Sequence, residues 1–279
     1  MSEQAEKRIK SSEYIKSRFP KRFKPAVAMI TENNFDILKG FDLLGEVNFS
    51  ELFSHSETLF GYPAKILFCK CDGRDVLVCY GRFHYYDGVQ MRDIGHIIYT
   101  LKYLGIRNIV SVDEAGHLNP RFRCGEIALI YDHINLAGDN PLIGKNDNAL
   151  GIRFPDMSNA YDRNSFSTVY KILQENFIKI NESVLLGTIG PQSETDAEAR
   201  FYREIGADIV SYSVVPENIT AVHAGINFTG IGLITRELVA DKMAEDERSE
   251  KQKDKDQKAA LKAASAELTR VLKKIIKKI

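Results

Sequence analysis

The stretch Gly81-Arg82-Phe83-His84-Tyr85-Tyr86-Asp87-Gly88 places a guanidinium and an imidazole two residues apart, in an aromatic segment bounded by glycines. It directly follows the apolar run 76–80, which is typical of a buried strand. An Arg and a His in this position can hold an oxyanion through charge-assisted hydrogen bonds. The stretch therefore predicts an oxyanion clamp. A second distinctive motif lies downstream, Ala115-Gly116-His117-Leu118-Asn119-Pro120.

The composition is that of an ordinary globular protein. The 279 residues are 44% hydrophobic and 27% charged, which suits one large α/β domain. Basic and acidic residues balance at 38 each, so no global basic field indicates nucleic-acid binding. No apolar run approaches the roughly 18 residues that span a bilayer, and residues 1–10 lack the apolar core of a secretory signal. We expect a cytoplasmic protein with no membrane span and no nucleic-acid partner.

The four cysteines do not form the pattern of a disulfide framework. Cys69 and Cys71 would point to the same face of a strand, as a metal-binding C-x-C pair would. No second pair and no His cluster completes four ligands, however. The spacing favours core thiols over a metal site.

Apolar runs alternate with helical patterns along the chain. Short apolar runs predict strands over 26–30, 66–71, 76–80, 108–112, 126–131, 184–189, 208–211 and 231–235. Helical spacing predicts helices over 11–22, 94–104, 166–177 and 196–205. Residues 133–158 read as a long excursion rich in Asn, Asp, Pro and Gly. The alternation predicts an α/β fold with a largely buried sheet.

The C-terminal region has its own pattern. Residues 241–258 are almost entirely charged or Gln, and from Leu261 to Ile279 apolar residues recur every three or four positions with lysines opposite. This predicts an amphipathic helix. We expect one domain over 1–240 and a C-terminal segment, 241–279, that docks on it. The alternative is that this helix binds a membrane surface or a partner.

From about residue 8 to about residue 240 the chain resembles the purine nucleoside phosphorylases, in their trimeric, low-molecular-mass branch. The resemblance implies a single domain with a central mixed β-sheet flanked by helices. It also implies phosphorolysis, in which phosphate attacks the anomeric carbon of a purine nucleoside, with phosphate as co-substrate and no cofactor, in a homotrimer. Besides the two motifs quoted above, the motifs that carry the resemblance are Asp132-His133-Ile134-Asn135-Leu136, Arg153-Phe154-Pro155-Asp156-Met157-Ser158, Ala160-Tyr161-Asp162, Gly190-Pro191, Glu194-Thr195 and Val215-Pro216-Glu217.

The resemblance assigns the phosphate contacts to Arg82, His84 and Ser213, the last beside a helix N-terminus where an anion is favoured. It gives His84 a catalytic role as well. Glu194 falls on the acid that grips the purine and is the second candidate catalytic residue. Glu194 could instead cap the helix that begins near Thr195.

Three further positions are candidate nucleoside contacts. Tyr86 falls on the family's aromatic that covers the sugar or reaches in from a neighbouring subunit. Tyr212 replaces a Met beside the sugar, and Arg236 replaces the Asn that reads the purine. Arg236 could pair with Glu194 and fill the purine pocket, or donate to a carbonyl of a different base.

The chain departs from the family at its phosphate loop. The family's Gly-Ser-Gly-Leu-Gly loop is here Thr31-Glu32-Asn33-Asn34-Phe35, so glycine is gone and Glu32 brings negative charge towards an anion site. An Asn-Ala pair has become Asp113-Glu114, and these carboxylates oppose a phosphate dianion. A family His is replaced by Tyr62, and the Phe that stacks on the base by Ser193.

Three functional hypotheses follow. The first is a silent or impaired family member that acts as a binding or assembly module, with a possible protein partner. The second is an active phosphorylase with altered specificity. The third is a nucleoside hydrolase in which Asp113 or Glu114 activates water. The family's His at the ribose 5′-hydroxyl has no counterpart beyond Asp254.

Overall fold

The computed structural model describes residues 3–52, 64–239 and 249–279. The strands of this part of the chain are β1 (Val27–Thr31), β2 (Asp42–Asn48), β3 (Lys65–Cys71), β4 (Arg74–Tyr80), β5 (Asn108–His117), β6 (Ile127–Asn135), β7 (Asn181–Gly187), β8 (Ile209–Ser211) and β9 (Asn227–Glu237). The α-helices are α1 (Glu3–Ser17), α2 (Met91–Tyr103), α3 (Arg163–Glu175), α4 (Asp196–Glu204), α5 (Val214–Ala224) and α6 (Glu250–Lys278).

The described strands form one mixed sheet in the order β2-β3-β4-β1-β5-β8-β7-β6-β9. Strand β9 also pairs with β5, so the last five strands of this order close into a ring. Strand β1 lies between two parallel neighbours, β4 and β5, whereas β2, β3 and β4 pair antiparallel. The predicted α/β domain with a central mixed sheet flanked by helices is confirmed.

The central strands are apolar because both of their faces are covered. Strand β1 is buried at every position. One core lies under α2 and α5 and includes Ile98 and Ile219. A second core lies under α3 and α6 and includes Val169 and Leu268. The sheet is therefore a rigid platform whose strand ends can carry a site.

Helix α6 packs against the second core. Its apolar stripe, with Leu268, Leu272 and Ile276 among its members, is fully buried, and Arg74 donates a hydrogen bond to the carbonyl of Ile276. The predicted boundary at residues 240/241 and most of the charged run before α6 lie outside the described residues, as does Tyr62.

Several elements differ from the sequence prediction. Strand β2 was not predicted because Asp42–Glu46 is mostly exposed at the sheet edge. Helix α5, which the resemblance implied by placing Ser213 at a helix N-terminus, has no amphipathic pattern of its own because it is buried on nearly every side. Helix α1 begins eight residues earlier than expected, and β6 continues to Asn135, into the predicted excursion. The cysteines of β3 are core thiols, as the spacing favoured: burial raises the pKa of Cys69 to about 12 and that of Cys71 to about 11.

Candidate functional site

The candidate site lies at the carboxyl-terminal side of three neighbouring parallel strands, β4, β1 and β5. Glu32 follows β1, Arg82 follows β4, and Asp113 lies in β5 two residues beyond the last position paired with β1. Side chains at the carboxyl ends of adjacent parallel strands project into one crevice, where ligands of α/β proteins commonly bind. The backbone amide of Gly81 also donates to the carbonyl of Thr31, which holds the two segments together.

The predicted oxyanion clamp is present, and a carboxylate of the chain itself lies in it. Arg82 Nε lies 2.9 Å from Glu32 Oε1, and His84 Nε2 lies 3.2 Å from the same oxygen. All three side chains are at most 5% exposed. The guanidinium and the imidazole therefore hold the Glu32 carboxylate from two sides.

Two more buried carboxylates approach the same guanidinium. Arg82 Nη1 lies 3.6 Å from Asp113 Oδ2 and 3.6 Å from Glu217 Oε1. Arg82 Nη2 donates to the carbonyls of Val112 and Ile30, so the guanidinium is engaged on all sides. We call the five residues Glu32, Arg82, His84, Asp113 and Glu217 the Arg82 cluster.

Three serine hydroxyl groups surround the Arg82 cluster. Ser111 Oγ donates to Glu217 at 2.7 Å, and Ser211 Oγ donates to Asp113 at 2.5 Å. Ser213, the N-cap residue of α5, lies 2.8 Å from His84 Nδ1. The imidazole therefore lies between the Ser213 hydroxyl and the Glu32 carboxylate. The structure thus brings together the three residues predicted to bind phosphate.

The pKa values of the cluster follow its charges. Burial lowers the pKa of Arg82, but the carboxylates of Glu217, Asp113 and Glu32 outweigh it and the net shift is upward. Burial raises the pKa of Glu32, but Arg82 and His84 outweigh it and the net shift is downward. Glu32 and Arg82 therefore form an ionised pair. Burial is the main reason that the pKa of Glu217 rises to about 7, and Glu32 raises the pKa of His84 against its burial.

Tyr86 covers the clamp. Its ring stacks on the His84 imidazole with centroids 4.7 Å apart and 11° between the planes. The Tyr86 and Tyr212 rings form a T-shaped pair with their centroids 6.0 Å apart. Tyr86 thus links the Arg82 cluster to the second group of predicted site residues.

That second group joins Glu194, Tyr212 and Arg236, and we call it the Glu194 cluster. Arg236 Nη1 donates to Glu194 Oε2 at 3.2 Å and to the Tyr212 hydroxyl at 3.0 Å. The Tyr212 hydroxyl lies 3.2 Å from the other Glu194 oxygen. Burial raises the pKa of Tyr212 to about 12, so its hydroxyl stays protonated. Arg236 thus pairs with Glu194, the first of the two arrangements expected from the sequence.

The N-cap of helix α4 is Thr195, which forms a capping box with Glu198. Glu194 therefore does not cap this helix. Its side chain is 3% exposed and points to Arg236 instead. The capping alternative for Glu194 was wrong because the neighbouring residue supplies the cap.

Two residues near the site had no assignment from the sequence. Gln257 of α6 donates to Glu114 Oε2 at 3.1 Å, beside Thr235, which donates to the same oxygen at 2.8 Å. Burial raises the pKa of Glu114. Asp254 pairs instead with Lys258 one turn along the helix, and both are exposed. Gln257 is therefore the α6 side chain that reaches the site, which helical spacing from Asp254 could have indicated.

Comparisons with known proteins point to one family. A family model described as the phosphorylase superfamily matches residues 46–277. Purine nucleoside phosphorylase 1 of Bacillus subtilis is 40% identical over 178 residues, which are 64% of this chain and 66% of that protein. The mouse purine nucleoside phosphorylase is 34% identical over 270 residues, 92% of this chain and 90% of that one.

A solved structure of Schistosoma mansoni purine nucleoside phosphorylase in complex with inosine matches with a TM-score of 0.87 and 27% identity, over 98% of this chain and 96% of that one. The chain belongs to the purine nucleoside phosphorylase family. Phosphorylases of this family bind purine nucleosides and use phosphate as co-substrate. The matched segment of the Bacillus protein is just under two thirds of its length.

The part of the chain that the structure describes contains no cluster of His, Cys, Asp or Glu suited to a metal ion. Among the same residues, no helix is long and apolar enough to cross a membrane.

Proposed function

We propose that this chain is a purine nucleoside phosphorylase family protein with impaired phosphorolysis, which acts as a nucleoside-binding and assembly module. One observation carries the proposal. The Glu32 carboxylate lies against both Arg82 and His84, at 2.9 and 3.2 Å, and these are the side chains expected to receive phosphate. The position of the anion is thus taken by a group that cannot react as phosphate does.

The charge balance of the Arg82 cluster supports the proposal. The positive charge of Arg82 faces the carboxylates of Glu32 and Asp113, and Glu217 titrates near neutral pH. Glu32 also raises the pKa of His84 and so favours its cationic form. A phosphate dianion would add two negative charges with no cation left to balance them. Like charges repel strongly in a poorly solvated crevice. Phosphate binding would require that Glu32 move away or take up a proton.

The residues expected to bind the purine support the proposal as well. Glu194, the residue expected to grip the base, already accepts a hydrogen bond from Arg236 and lies in contact with Tyr212. A purine would have to compete with Arg236 for this carboxylate. The Arg236 side chain is 18% exposed and could turn towards solvent. Weak nucleoside binding is therefore compatible with the geometry, whereas tight phosphate binding is opposed by charge.

Two alternatives remain open to test. An active phosphorylase with altered specificity is favoured by the 34 to 40% identity to proteins named purine nucleoside phosphorylase. A nucleoside hydrolase is favoured by Glu114, whose raised pKa suits a general base. Asp113 is less suited to that role because Ser211, Arg82 and the Glu114 amide already engage its carboxylate.

The test is base release from inosine, guanosine and adenosine by the purified protein, with and without phosphate. We expect no turnover above background in either condition, together with nucleoside binding by calorimetry. Phosphate-dependent release at ordinary enzyme rates, about 1 per second or faster, would overturn the proposal in favour of an active phosphorylase. Release that does not depend on phosphate, and that is lost in Glu114→Gln, would identify a hydrolase.

The proposal includes a homotrimer, on the basis of the family resemblance. Exposed apolar side chains support a self-association surface: Ile143 is 60%, Ile152 67% and Phe154 85% exposed. Light scattering on the protein as it elutes from a size-exclusion column measures the mass of the assembly directly. We also propose that residues 1–240 form the phosphorylase-like domain and 241–279 a C-terminal extension of it, in a cytoplasmic protein.

A further inference from the structure

Phe177 stands on the surface in a conformation that favours glycine. It is 97% exposed, and its φ is 55°, in the left-handed region. It follows helix α3, where its amide donates to Gln174 and the amide of Ile178 donates to Leu173. This is the Schellman arrangement, in which the residue at the Phe177 position is usually Gly. The side chain therefore contributes almost no burial and adds backbone strain.

A stripe of cations lies beside Phe177. Arg270 of α6 donates to the backbone carbonyl of Asn176, and Lys274 donates to the Asn176 side chain at 2.6 Å. Both contacts are made to the residue that precedes Phe177. The exposed basic side chains in the C-terminal two thirds of α6, which we call the basic stripe, are Lys262, Arg270, Lys274, Lys277 and Lys278.

The basic stripe is strongly one-sided in charge. Between residues 262 and 279 there are six basic residues and one acidic residue, Glu267, whereas the whole chain is neutral. Residues 262 and 278 are separated by about 24 Å along the helix axis. The opposite side of the helix is buried in the core through Leu268, Leu272 and Ile276. The helix is thus packed against the core, and its exposed basic side chains lie on the opposite, solvent-facing side.

We propose that Phe177 and the basic stripe form a peripheral binding site for an anionic lipid bilayer. An aromatic side chain that enters the interface and flanking cations that meet acidic headgroups are the two components of such binding. A bilayer accepts a single projecting ring without a matching pocket, whereas a folded partner needs a complementary surface. The nearly complete exposure of Phe177, with Arg270 and Lys274 on the residue that precedes it and the rest of the basic stripe on the same helix, therefore favours a bilayer over an acidic protein.

The test is sedimentation of the purified full-length protein with vesicles. One set is phosphatidylcholine alone, and the other contains about one third phosphatidylserine. We expect binding to the anionic vesicles at low salt, little binding to the neutral ones, and release near 0.5 M salt, where charges are screened within a few ångströms. Equal binding to both sets, or none to the anionic set, overturns the proposal. In the latter case an acidic protein becomes the better occupant.

Two variants separate this role from a structural one. Phe177→Gly relieves the left-handed strain, so it should raise the melting temperature while weakening vesicle binding at least fivefold. Phe201→Ala on α4, where the ring is 51% exposed, is the matched control and should leave binding unchanged. Lys277→Gln with Lys278→Gln should weaken binding by more than tenfold, because each basic residue near an anionic surface contributes about fivefold. Unchanged binding in Phe177→Gly would contradict the proposal.

Discussion

Glu32 Oε1 lies 2.9 Å from Arg82 Nε in a crevice that excludes solvent from both side chains. The pair arises because β1 and β4 are parallel neighbours, so the residues that follow them meet at one edge of the sheet. An internal carboxylate thereby neutralises the cation on which anion binding at this edge would depend.

Replacing Glu32 should restore anion binding. Glu32→Gly removes the carboxylate and returns a glycine to the segment after β1, so we expect phosphate affinity to rise at least about tenfold. Titration calorimetry with inorganic phosphate measures the change. Glu46→Gln, which removes an exposed partner of Lys65, is the control and should have no effect. Equal phosphate affinity in wild type and Glu32→Gly would show that Glu32 does not block the clamp.

Removing Arg82 should destabilise the fold strongly. Arg82→Met leaves Glu32, Asp113 and Glu217 buried without their cation, and we expect a loss of about 3–5 kcal/mol in the free energy of unfolding. Lys65→Met breaks an exposed ion pair and should cost no more than about 1 kcal/mol. Denaturant unfolding of both variants compares them. Similar small losses in both would argue against a charge-coupled core.

Stability should fall as the pH rises through neutrality. Glu217 has a folded pKa of about 7, above its ordinary value of 4.5, so the folded state holds its proton longer than the unfolded state. The stability this proton contributes is fully present below pH 4.5 and is lost as the pH rises to about 7, by on the order of 3 kcal/mol. The pKa of His84 is also raised, so this residue acts in the same direction. The stability that its proton contributes is lost as the pH rises above 6.5, the ordinary pKa of His.

The Glu217→Gln variant isolates this effect. It keeps the shape of the side chain and removes its titration, so the free energy of unfolding should depend less on pH between 5 and 8. Denaturant melts at several pH values give the slope. A wild-type slope that survives in Glu217→Gln would assign the dependence to another group.

Opening the Glu194 cluster should strengthen nucleoside binding. Arg236→Asn frees the Glu194 carboxylate for the base, and we expect inosine affinity to rise by about an order of magnitude. Calorimetry measures it, with Arg200→Asn on the exposed face of α4 as a control for lost positive charge. No gain over wild type would mean that Arg236 does not compete with the base.

Helix α6 should be integral to the fold. Leu268 is fully buried, so Leu268→Ala should lower the free energy of unfolding by about 2–5 kcal/mol. Lys262→Ala on the exposed side should change it by less than about 0.5 kcal/mol. A loss of less than 1 kcal/mol in Leu268→Ala would indicate a helix that can detach.

Local sequence patterns predicted many of the residues that the structure places at the site. The apolar runs before Glu32 and Arg82 predicted buried strands, and the change from glycine to Glu32 predicted negative charge beside the clamp. The spacing of apolar residues predicted neither strand β2 nor helix α5, because β2 is exposed at the sheet edge and α5 is buried on nearly every side. Neither environment leaves a periodic pattern in the sequence.

The sequence by itself determined the family, the α/β class and the residue types gathered at the site, because these depend on local motifs and apolar periodicity. Only the tertiary structure decided which charges meet. Glu32, Asp113 and Glu217 are far apart along the chain, yet the order of parallel strands and the start of α5 place all three against Arg82. It likewise decided that Arg236 meets Glu194 and that Gln257, rather than Asp254, reaches the site. These contacts join segments that lie far apart in the sequence, so they depend on the order in which the strands assemble and not on any one local stretch.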